Sequence, residues 1–432
     1  MTEQIASEEL CLRKIRRTYQ CRLYRSKHNN HLHQAIDIAG NMRNHIIALQ
    51  KRYYRIFGKH IPSGQMQPHI SKLRMGKQRA HKPAGRKAKN YGKLFTCWQA
   101  IPAQSAQDMV MRVEQSYQNF FDNLKKGKSC KVGLPRFKKS KKYSSFTMKT
   151  NSWKLLDNCI GSRTGRPIDK NIRRTGRIRI MGRVYKFVWT RPIRGSIQTV
   201  TVKRDNVGDL WLFFSVIEII ELPKKVSTGE SGGFDFGLKY FLTNHEGQVI
   251  ISPQFYREGM KQIQRLSRSH SRKVKGSNNR ERSRLALARA HRDIANKRDN
   301  HQWHLAHDLC KRYDVLVFET LNISAMQQMW GRKISDLGFA DFLEKLKHVA
   351  NKLDKTVIQI NRWEATSKTC SGCGEKKEKL SLKERIFECA NCGLVLDRDH
   401  NAARNIYQVG TSTCRREVVR RDESDGSSRS FV

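Results

Sequence analysis

Hydrophobic and polar residues alternate in distinct ways along the 432 residues of the chain, and each pattern predicts one kind of element. Over 15–27, 174–189 and 197–219, apolar residues alternate with basic ones, which predicts antiparallel strands with one buried face. Over 35–57 and 105–124, apolar residues recur every three to four positions, which predicts amphipathic helices. The first half of the chain therefore favours a sheet with helices inserted between its strands.

The second half alternates strand and helix patterns, as is typical of an α/β unit. In order, the patterns predict a strand hairpin, a long basic helical stretch, an apolar strand, an amphipathic helix and a last strand, at 233–250, 257–311, 314–319, 338–354 and 356–361. The polar, Gly/Pro/Ser-bearing stretch 221–232 predicts a linker before this unit. The polar and charged stretch 411–432 predicts a disordered tail.

The charge of the chain points to a polyanionic partner. It has 85 Lys and Arg against 38 Asp and Glu, a formal net charge of +47. Self-repulsion of this size favours a working state in which nucleic acid is bound, with a membrane surface as the weaker alternative. No run of about 18 apolar residues and no apolar signal-peptide core is found, so we expect a cytoplasmic, nucleoid-associated prokaryotic protein with no membrane span.

Three basic stretches lie at 72–93, 136–142 and 265–298, and the aromatic residues Tyr91, Phe137 and Tyr143 lie in or beside the first two. Basic side chains neutralise backbone phosphates, and aromatic rings stack on unpaired bases. The candidate nucleic-acid contacts are Lys77, Arg79, Arg86, Lys87, Arg136, Lys138, Lys139, Arg292 and Arg298.

Four of the eleven cysteines have the spacing C-x2-C-x15-C-x2-C, and they are Cys370, Cys373, Cys389 and Cys392. Each pair is followed by a glycine, Gly374 or Gly393, that suits a tight metal knuckle. Four thiolates fill a tetrahedral zinc site and leave no open position, so the predicted zinc is structural.

Carboxylates end three apolar segments: Asp235 in GFDFG, Glu319 in VLVFE, and Asp399, with Asp397 close by, in LDRDHNAA. A carboxylate that closes an apolar strand is costly to bury unless it is paired or binds a metal. If the three segments converge, their oxygens suit one or two Mg²⁺ ions that activate water for phosphodiester cleavage.

Five segments together resemble the TnpB family of transposon-encoded proteins, relatives of the type V CRISPR effector nucleases. They are GFDFGLKYFLT, the helical stretch 275–309, VFETLNISAM, TSKTCSGCG and CGLVLDRDHNAARNI, and they occur in order over about 233–406. Phe234, Phe236 and Thr320 depart from the usual form of the family, whereas every acid is retained.

The resemblance implies a RuvC-like, RNase H-type nuclease domain whose catalytic, Mg²⁺-binding acids are Asp235, Glu319 and Asp399. It also implies an inserted zinc ribbon and a guide RNA from the transposon end, with double-stranded and single-stranded DNA as target. Asp397 is a possible alternative ligand and His400 a possible auxiliary residue. The expected function is RNA-guided, Mg²⁺-dependent DNA cleavage next to a short flanking motif; a strand-joining transposase and a non-catalytic RNA-guided regulator remain alternatives.

The expected fold is multi-domain α+β. A β-barrel would be formed by 1–30 and 134–225, with a helical recognition domain inserted at 31–133. The RuvC-like α/β nuclease domain would comprise 226–365 and 397–410, with the zinc ribbon at 366–396 between its parts. The oligomeric state is left open.

Overall fold

A computed structural model of the chain describes residues 12–426 except 76–94, 126–132, 140–141, 158–174, 190, 222–227, 252, 362–363, 365, 379 and 382–383. The chain divides into two compact units, with the boundary between Glu221 and Leu222. Both units contain a sheet with helices packed against it, so the architecture is multi-domain α+β. In the described ranges, no helix is long and apolar enough to cross a bilayer.

The sheet of the first unit contains seven antiparallel strands in the order β2-β6-β7-β1-β5-β4-β3. Their bounds are β1 Leu12–Leu23, β2 Ser145–Lys149, β3 Trp153–Leu155, β4 Thr175–Ile180, β5 Arg183–Val188, β6 Ser196–Arg204 and β7 Leu210–Glu221. The edge strands β2 and β3 are joined by the single short turn Thr150–Ser152, so the sheet curls until its edges lie close together. The sheet is therefore nearly closed, in line with the expected barrel.

The helices of this unit are α1 Asn29–Phe57, α2 Ser63–Met75 and α3 Ala103–Lys125. The helices α1 and α3 pack on the sheet, and α2 packs on α3. The apolar stripe predicted for α1 is buried at Ile36, Ala39 and Ile46, whereas Phe57 at its end is 58% exposed. Helices and sheet share one continuous hydrophobic core. The proposed separation into a barrel and a helical domain stays a prediction.

The second unit is built on a five-stranded mixed sheet in the order β10-β9-β8-β11-β12. Its strands are β8 Ser231–Asp235, β9 Leu242–Asn244, β10 Val249–Ile250, β11 Val315–Glu319 and β12 Thr356–Ile360. The strands β8, β11 and β12 run parallel, and β9 and β10 extend the sheet as an antiparallel meander. The strand β8 begins at Ser231, inside the stretch 221–232 that was predicted as a linker. Its glycines are required by packing: Gly232 leaves room for the rings of Phe234 and Tyr313, and Gly233 leaves room for Tyr407.

Helices of the second unit are α4 Phe255–Ser271, α5 Asn278–Arg312, α6 Ile323–Leu337, α7 Phe339–Lys352 and α8 Arg398–Gly426. The basic stretch expected as one helical run is two helices, because Gly276 has φ +88° and Ser277 caps α5 by accepting a hydrogen bond from the Arg280 amide. The tail was expected to be disordered from 411, but α8 continues to Gly426, and 427–432 lie outside the described residues.

Candidate active site and metal centre

Two of the predicted acids end neighbouring parallel strands. Asp235 is the last residue of β8, and Glu319 is the last residue of β11. The residues that precede them, Phe234 and Phe318, are register partners, and their rings stack at a centroid distance of 5.2 Å. The same edge of the sheet therefore presents both carboxyl groups, each supported by an aromatic core beneath it.

The helix α8 brings the third acid to the same edge. Gly233 allows this helix to lie directly on β8, since a Cβ added there would be 2.6 Å from the Tyr407 Cα atom. Gly410 allows the same approach to Val317 of β11. Asp399 lies in the first turn of α8, and its Oδ2 atom would be 3.3 Å from a Cβ added at Gly237, two residues after Asp235.

All three acids have raised pKa values, and the charges of Asp399 and Glu319 act on Asp235. Burial raises the pKa of Asp235 well above its ordinary value, and the neighbouring Asp399 and Glu319 raise it further. Burial also raises the pKa of Glu319, although a hydrogen bond from Thr366 opposes this shift. The pKa of Asp399 is raised by burial and by Asp397. Three carboxyl groups that resist ionisation together form a site suited to a cation.

The acids are more widely spaced than the cysteines. Across the described residues, the four cysteines are the only group of three or more candidate ligands whose ligand atoms all lie within 4.8 Å of one another. The donor chemistry of the acids, three carboxylates from three separate elements, nevertheless fits a hard cation such as Mg²⁺.

Asp397 has a different position from Asp399. Its side chain is exposed, and its Oδ1 atom accepts hydrogen bonds from the amides of Asp399 at 2.9 Å and His400 at 3.4 Å. This is an N-cap of α8, an arrangement that fixes the first turn of a helix. Asp397 is thus placed to orient the turn that contains Asp399.

His400 contacts the β9–β10 hairpin. Its Nε2 atom lies 3.2 Å from the carbonyl oxygen of His245, and its ring packs against Gly247. The φ of +87° at Gly247 permits the turn that receives this ring. The observed contacts of His400 therefore fasten α8 to the hairpin.

Arg385 is a charged neighbour of the acids that sequence reasoning missed. It precedes β13 (Ile386–Glu388), which forms a two-stranded hairpin with β14 (Val395–Asp397). The Arg385 Nη1 atom lies 3.9 Å from Asp399 Oδ2, and this guanidinium lowers the pKa of Asp399 against the effect of burial. Arginine in a basic chain gives no motif signal, so only the fold reveals this pair.

The cysteine cluster has the geometry of a four-thiolate metal site. Cys370 Sγ lies 3.5 Å from Cys392 Sγ, and Cys373 Sγ lies 3.5 Å from Cys389 Sγ. Zn–S bonds of about 2.3 Å in a tetrahedron place sulfur atoms at about this separation. The prediction that these four residues come together as a possible zinc site is confirmed.

Both knuckles have the expected turn. Gly374 has φ +80° and donates its amide to the Cys370 carbonyl, and Gly393 has φ +70° and donates to the Cys389 carbonyl. Only glycine adopts this left-handed conformation without strain. The glycines therefore account for the local fold that presents the four thiolates.

The predicted nucleic-acid contacts have different surroundings. Lys77, Arg79, Arg86 and Lys87 lie outside the described residues. Arg136, Lys138 and Lys139 are exposed on an extended segment, 133–139, whose backbone is held to α1 by Arg43 and Asn44. Arg292 and Arg298 are half-buried on α5, and Arg298 packs against Gly338. Their contact with nucleic acid stays a prediction.

Family models match two segments of the chain. The model described as OrfB_IS605, "Probable transposase", matches residues 200–329, which include Asp235 and Glu319. The model described as Cas12f1-like, TNB domain, matches residues 339–406, which include the four cysteines and Asp399. The two matches are adjacent and divide the candidate site between them.

Relatives align over most of the chain. A Streptomyces pristinaespiralis protein named "Putative RNA-guided DNA endonuclease" is 29% identical over 342 residues, 77% of this chain and 77% of that protein. InsQ of Escherichia coli (strain K12), described in the same words, is 24% identical over 365 residues, 78% of this chain and 84% of that protein. The mimivirus TnpB-like protein L79 is 28% identical over 244 residues, 52% of this chain and 46% of that protein. The predicted resemblance to the TnpB family is confirmed.

Solved structures of compact CRISPR effectors also align with this chain. A Cas12f1–sgRNA–target DNA complex aligns with TM-score 0.32 and 16% identity over 91% of the chain and 99% of the effector. The mini-RNA-guided endonuclease CRISPR-Cas_phi3 aligns with TM-score 0.48 and 9% identity over 92% of each. At these TM-scores the likeness supports no argument about the site, which depends on the residues described above.

Proposed function

We propose that this chain is a member of the TnpB family and an RNA-guided DNA endonuclease that cleaves phosphodiester bonds with Asp235, Glu319 and Asp399. The observation that carries the proposal is the meeting of these acids at one edge of the second sheet, where the charges of Asp399 and Glu319 raise the pKa of the buried Asp235. The names of the S. pristinaespiralis and E. coli relatives support the same activity.

The three acids would hold catalytic Mg²⁺, as a RuvC-like nuclease requires. When bound, Mg²⁺ supplies an activated water and stabilises the leaving oxygen of the phosphodiester. Asp235 and Glu319 contribute fixed carboxylates from adjacent strands, and α8 contributes Asp399 through a capped first turn. Ligand carboxylates must be ionised, so deprotonation of Asp235 and cation binding are coupled.

The four cysteines would hold a structural Zn²⁺ ion. Their sulfur separations and left-handed glycine turns fit a closed tetrahedral site, which leaves no position for a reacting water. The zinc would fold the segment between the first two acids and the third. Arg385 would then reach Asp399 from this folded segment.

The guide RNA would come from the transposon end and select a DNA target by base pairing, next to a short flanking motif. The net charge of +47 supports binding of both nucleic acids. The first unit, with the exposed 133–139 segment and the basic stretch 72–93, is our candidate for contact with the guide and the flanking duplex.

Sequencing the RNA that co-purifies with the chain tests the guide. We expect one discrete species from the 3′ flank of the gene, and random cellular RNA would contradict the proposal.

The family description "Probable transposase" keeps a strand-joining activity as a second candidate. Incubation with transposon ends separates the two: joined products formed without guide RNA would favour the transposase.

A further inference from the structure

Three amide side chains on one stripe of α8 contact the segment that enters the zinc ribbon. Asn401, Asn405 and Gln408 are spaced four and three residues apart, so they lie on one face of the helix. Asn401 is fully buried and Asn405 is 6% exposed, whereas Gln408 is exposed. Burying an amide side chain costs free energy unless its polar atoms form hydrogen bonds. The hydrogen bonds of these amides therefore show which segment the helix binds.

Asn401 holds the backbone on both sides of the first zinc ligand. Its Nδ2 atom donates to the Thr369 carbonyl at 2.8 Å, and its Oδ1 atom accepts from the Ser371 amide at 2.9 Å. Cys370 lies between these two residues in the chain. One side chain therefore fixes the backbone that presents the Cys370 thiolate.

Asn405 extends the attachment toward the start of the same segment. Its Nδ2 atom donates to the Thr366 carbonyl at 2.7 Å and to the Thr369 carbonyl at 2.6 Å. At the other end of the stripe, Gln408 donates to the Ser371 carbonyl at 3.2 Å. Together the amides hold residues 366–371 against the helix one turn after Asp399.

The held segment also reaches the second acid. Thr366 is 4% exposed, and its Oγ1 atom lies 3.5 Å from Glu319 Oε2 as a hydrogen-bond donor. The backbone of Thr366 is the part that Asn405 binds. Glu319, the first knuckle and the first turn of α8 are thus joined by consecutive hydrogen bonds.

We infer that Asn401 and Asn405 are positioning residues that clamp the Cys370 knuckle to the helix bearing Asp399, so that zinc binding sets the separation of Asp399 and Glu319. The importance of that separation rests on the proposed nuclease function. The clamp itself is a property of the fold that can be measured without DNA cleavage.

Zinc release is the first test. Asn401→Leu and Asn405→Leu remove the amides and leave all four cysteines in place. In the full-length chain, each variant is expected to bind one zinc and to release it to a chromogenic chelator about tenfold faster than the wild type, because the backbone around Cys370 loses buried hydrogen bonds. The matched control Gln408→Leu removes a longer hydrogen bond, 3.2 Å to the Ser371 carbonyl, from an exposed side chain. Because water replaces an exposed hydrogen bond at little cost, its release rate should stay within about twofold of the wild type. Wild-type release rates in both asparagine variants would overturn the inference.

Amide hydrogen exchange tests the coupling directly. Loss of the site by Cys373→Ser is expected to speed exchange over 398–402 in the wild-type background. In the Asn401→Leu/Asn405→Leu background the same change should have little effect, because ribbon and helix no longer communicate through the clamp. Equal acceleration in both backgrounds would overturn the inference.

Measuring DNA cleavage tests whether the clamp affects the position of the acids. Thr366→Val removes the hydroxyl that contacts Glu319 and is expected to lower kcat about tenfold, with KM for DNA and zinc release unchanged. Wild-type kcat in Thr366→Val and Asn405→Leu would remove the link to the acids. If the wild-type chain itself never cuts DNA, the proposed function fails, and zinc release and exchange still decide whether the clamp exists.

Discussion

Asp235 is the residue on which the candidate site depends most. Its carboxyl group is buried among Phe234, Phe236 and two further acids, an environment that opposes ionisation. A stable fold gains nothing from a buried acid of this kind, whereas a cation site requires it. Active-site groups commonly reduce stability in this way.

Asp235→Asn is therefore expected to raise the thermal midpoint of the second unit at pH 7 in Mg²⁺-free buffer. The pKa of Asp235 is higher in the folded state than in the unfolded state. The acid therefore favours folding at a pH below its unfolded pKa, and this contribution to stability is lost as the pH rises through the folded-state pKa. The gain from asparagine should be a few degrees at pH 7 and should vanish near pH 4. Thermal unfolding at both pH values checks it, with the exposed Glu344→Gln as control. A lower midpoint at pH 7 would contradict the raised pKa.

Asp397 and Asp399 are expected to respond differently to substitution. Asp397→Ala removes the α8 cap and should cost about 1 kcal/mol of stability, with cleavage reduced but measurable. Asp397→Asn retains the cap and should cut at close to the wild-type rate, whereas Asp399→Asn should not cut. Urea unfolding and cleavage rates on one target measure both effects. Loss of cleavage in Asp397→Asn would make Asp397 the metal ligand instead.

The sequence signals the acids and the cysteines but not their supports. Glu319 is conspicuous because a carboxylate ends an apolar strand, and the cysteines have a diagnostic spacing. Asn401 and Asn405 have no such signal, because an asparagine on a helix reads as a surface residue until its partner is known. Arg385 is hidden for another reason: it is one of 85 basic residues.

At the scale of elements, the close approach of the α8 backbone to the strands β8 and β11 determines where the third acid lies. The helix α8 lies on β8 and β11 because Gly233 and Gly410 have no side chains, and this contact brings Asp399 to the strand ends. Periodicity predicts the helices and strands themselves. It misses the break at Gly276, because the helical period of basic residues continues on both sides.

The helical layer of the first unit contains a pH-sensitive contact. His45 on α1 packs edge-on against Phe95 and Trp98, and its Nε2 atom is buried without a partner among the described residues. Burial lowers the pKa of His45 to about 4, and the nearby His69 and Arg52 act in the same direction. Protonation of this ring is therefore unfavourable in the folded state.

We expect the first unit to lose stability as pH falls from 6.5 toward 4, where the unfolded chain binds protons that folded His45 does not. His45→Phe should weaken this dependence in part, since burial also lowers the pKa of His60 and His69. Urea unfolding at pH 7 and pH 5 measures the slope, with the exposed His28→Gln as control. An unchanged slope in His45→Phe would show that other groups account for it.

At the scale of the whole molecule, the net charge supports the proposed binding of nucleic acids. A net charge of +47 favours a state in which a polyanion is bound, because the excess positive charges of the free chain repel one another. The four cysteines and the three acids are separate groups of candidate ligands. In the proposed function, the cysteines would hold a structural zinc and the acids would hold the Mg²⁺ for cleavage.

Cleavage of a matched plasmid by the chain purified with its own RNA tests this account most directly. The wild type is expected to cut only DNA that carries the guide-matched sequence, and only with Mg²⁺ present. Asp235→Asn, loaded with the same RNA, is expected to bind that DNA with unchanged affinity and to cut at least about a hundredfold more slowly. Cutting by Asp235→Asn at the wild-type rate, or binding without cutting by the wild type, would contradict the assignment of the acids.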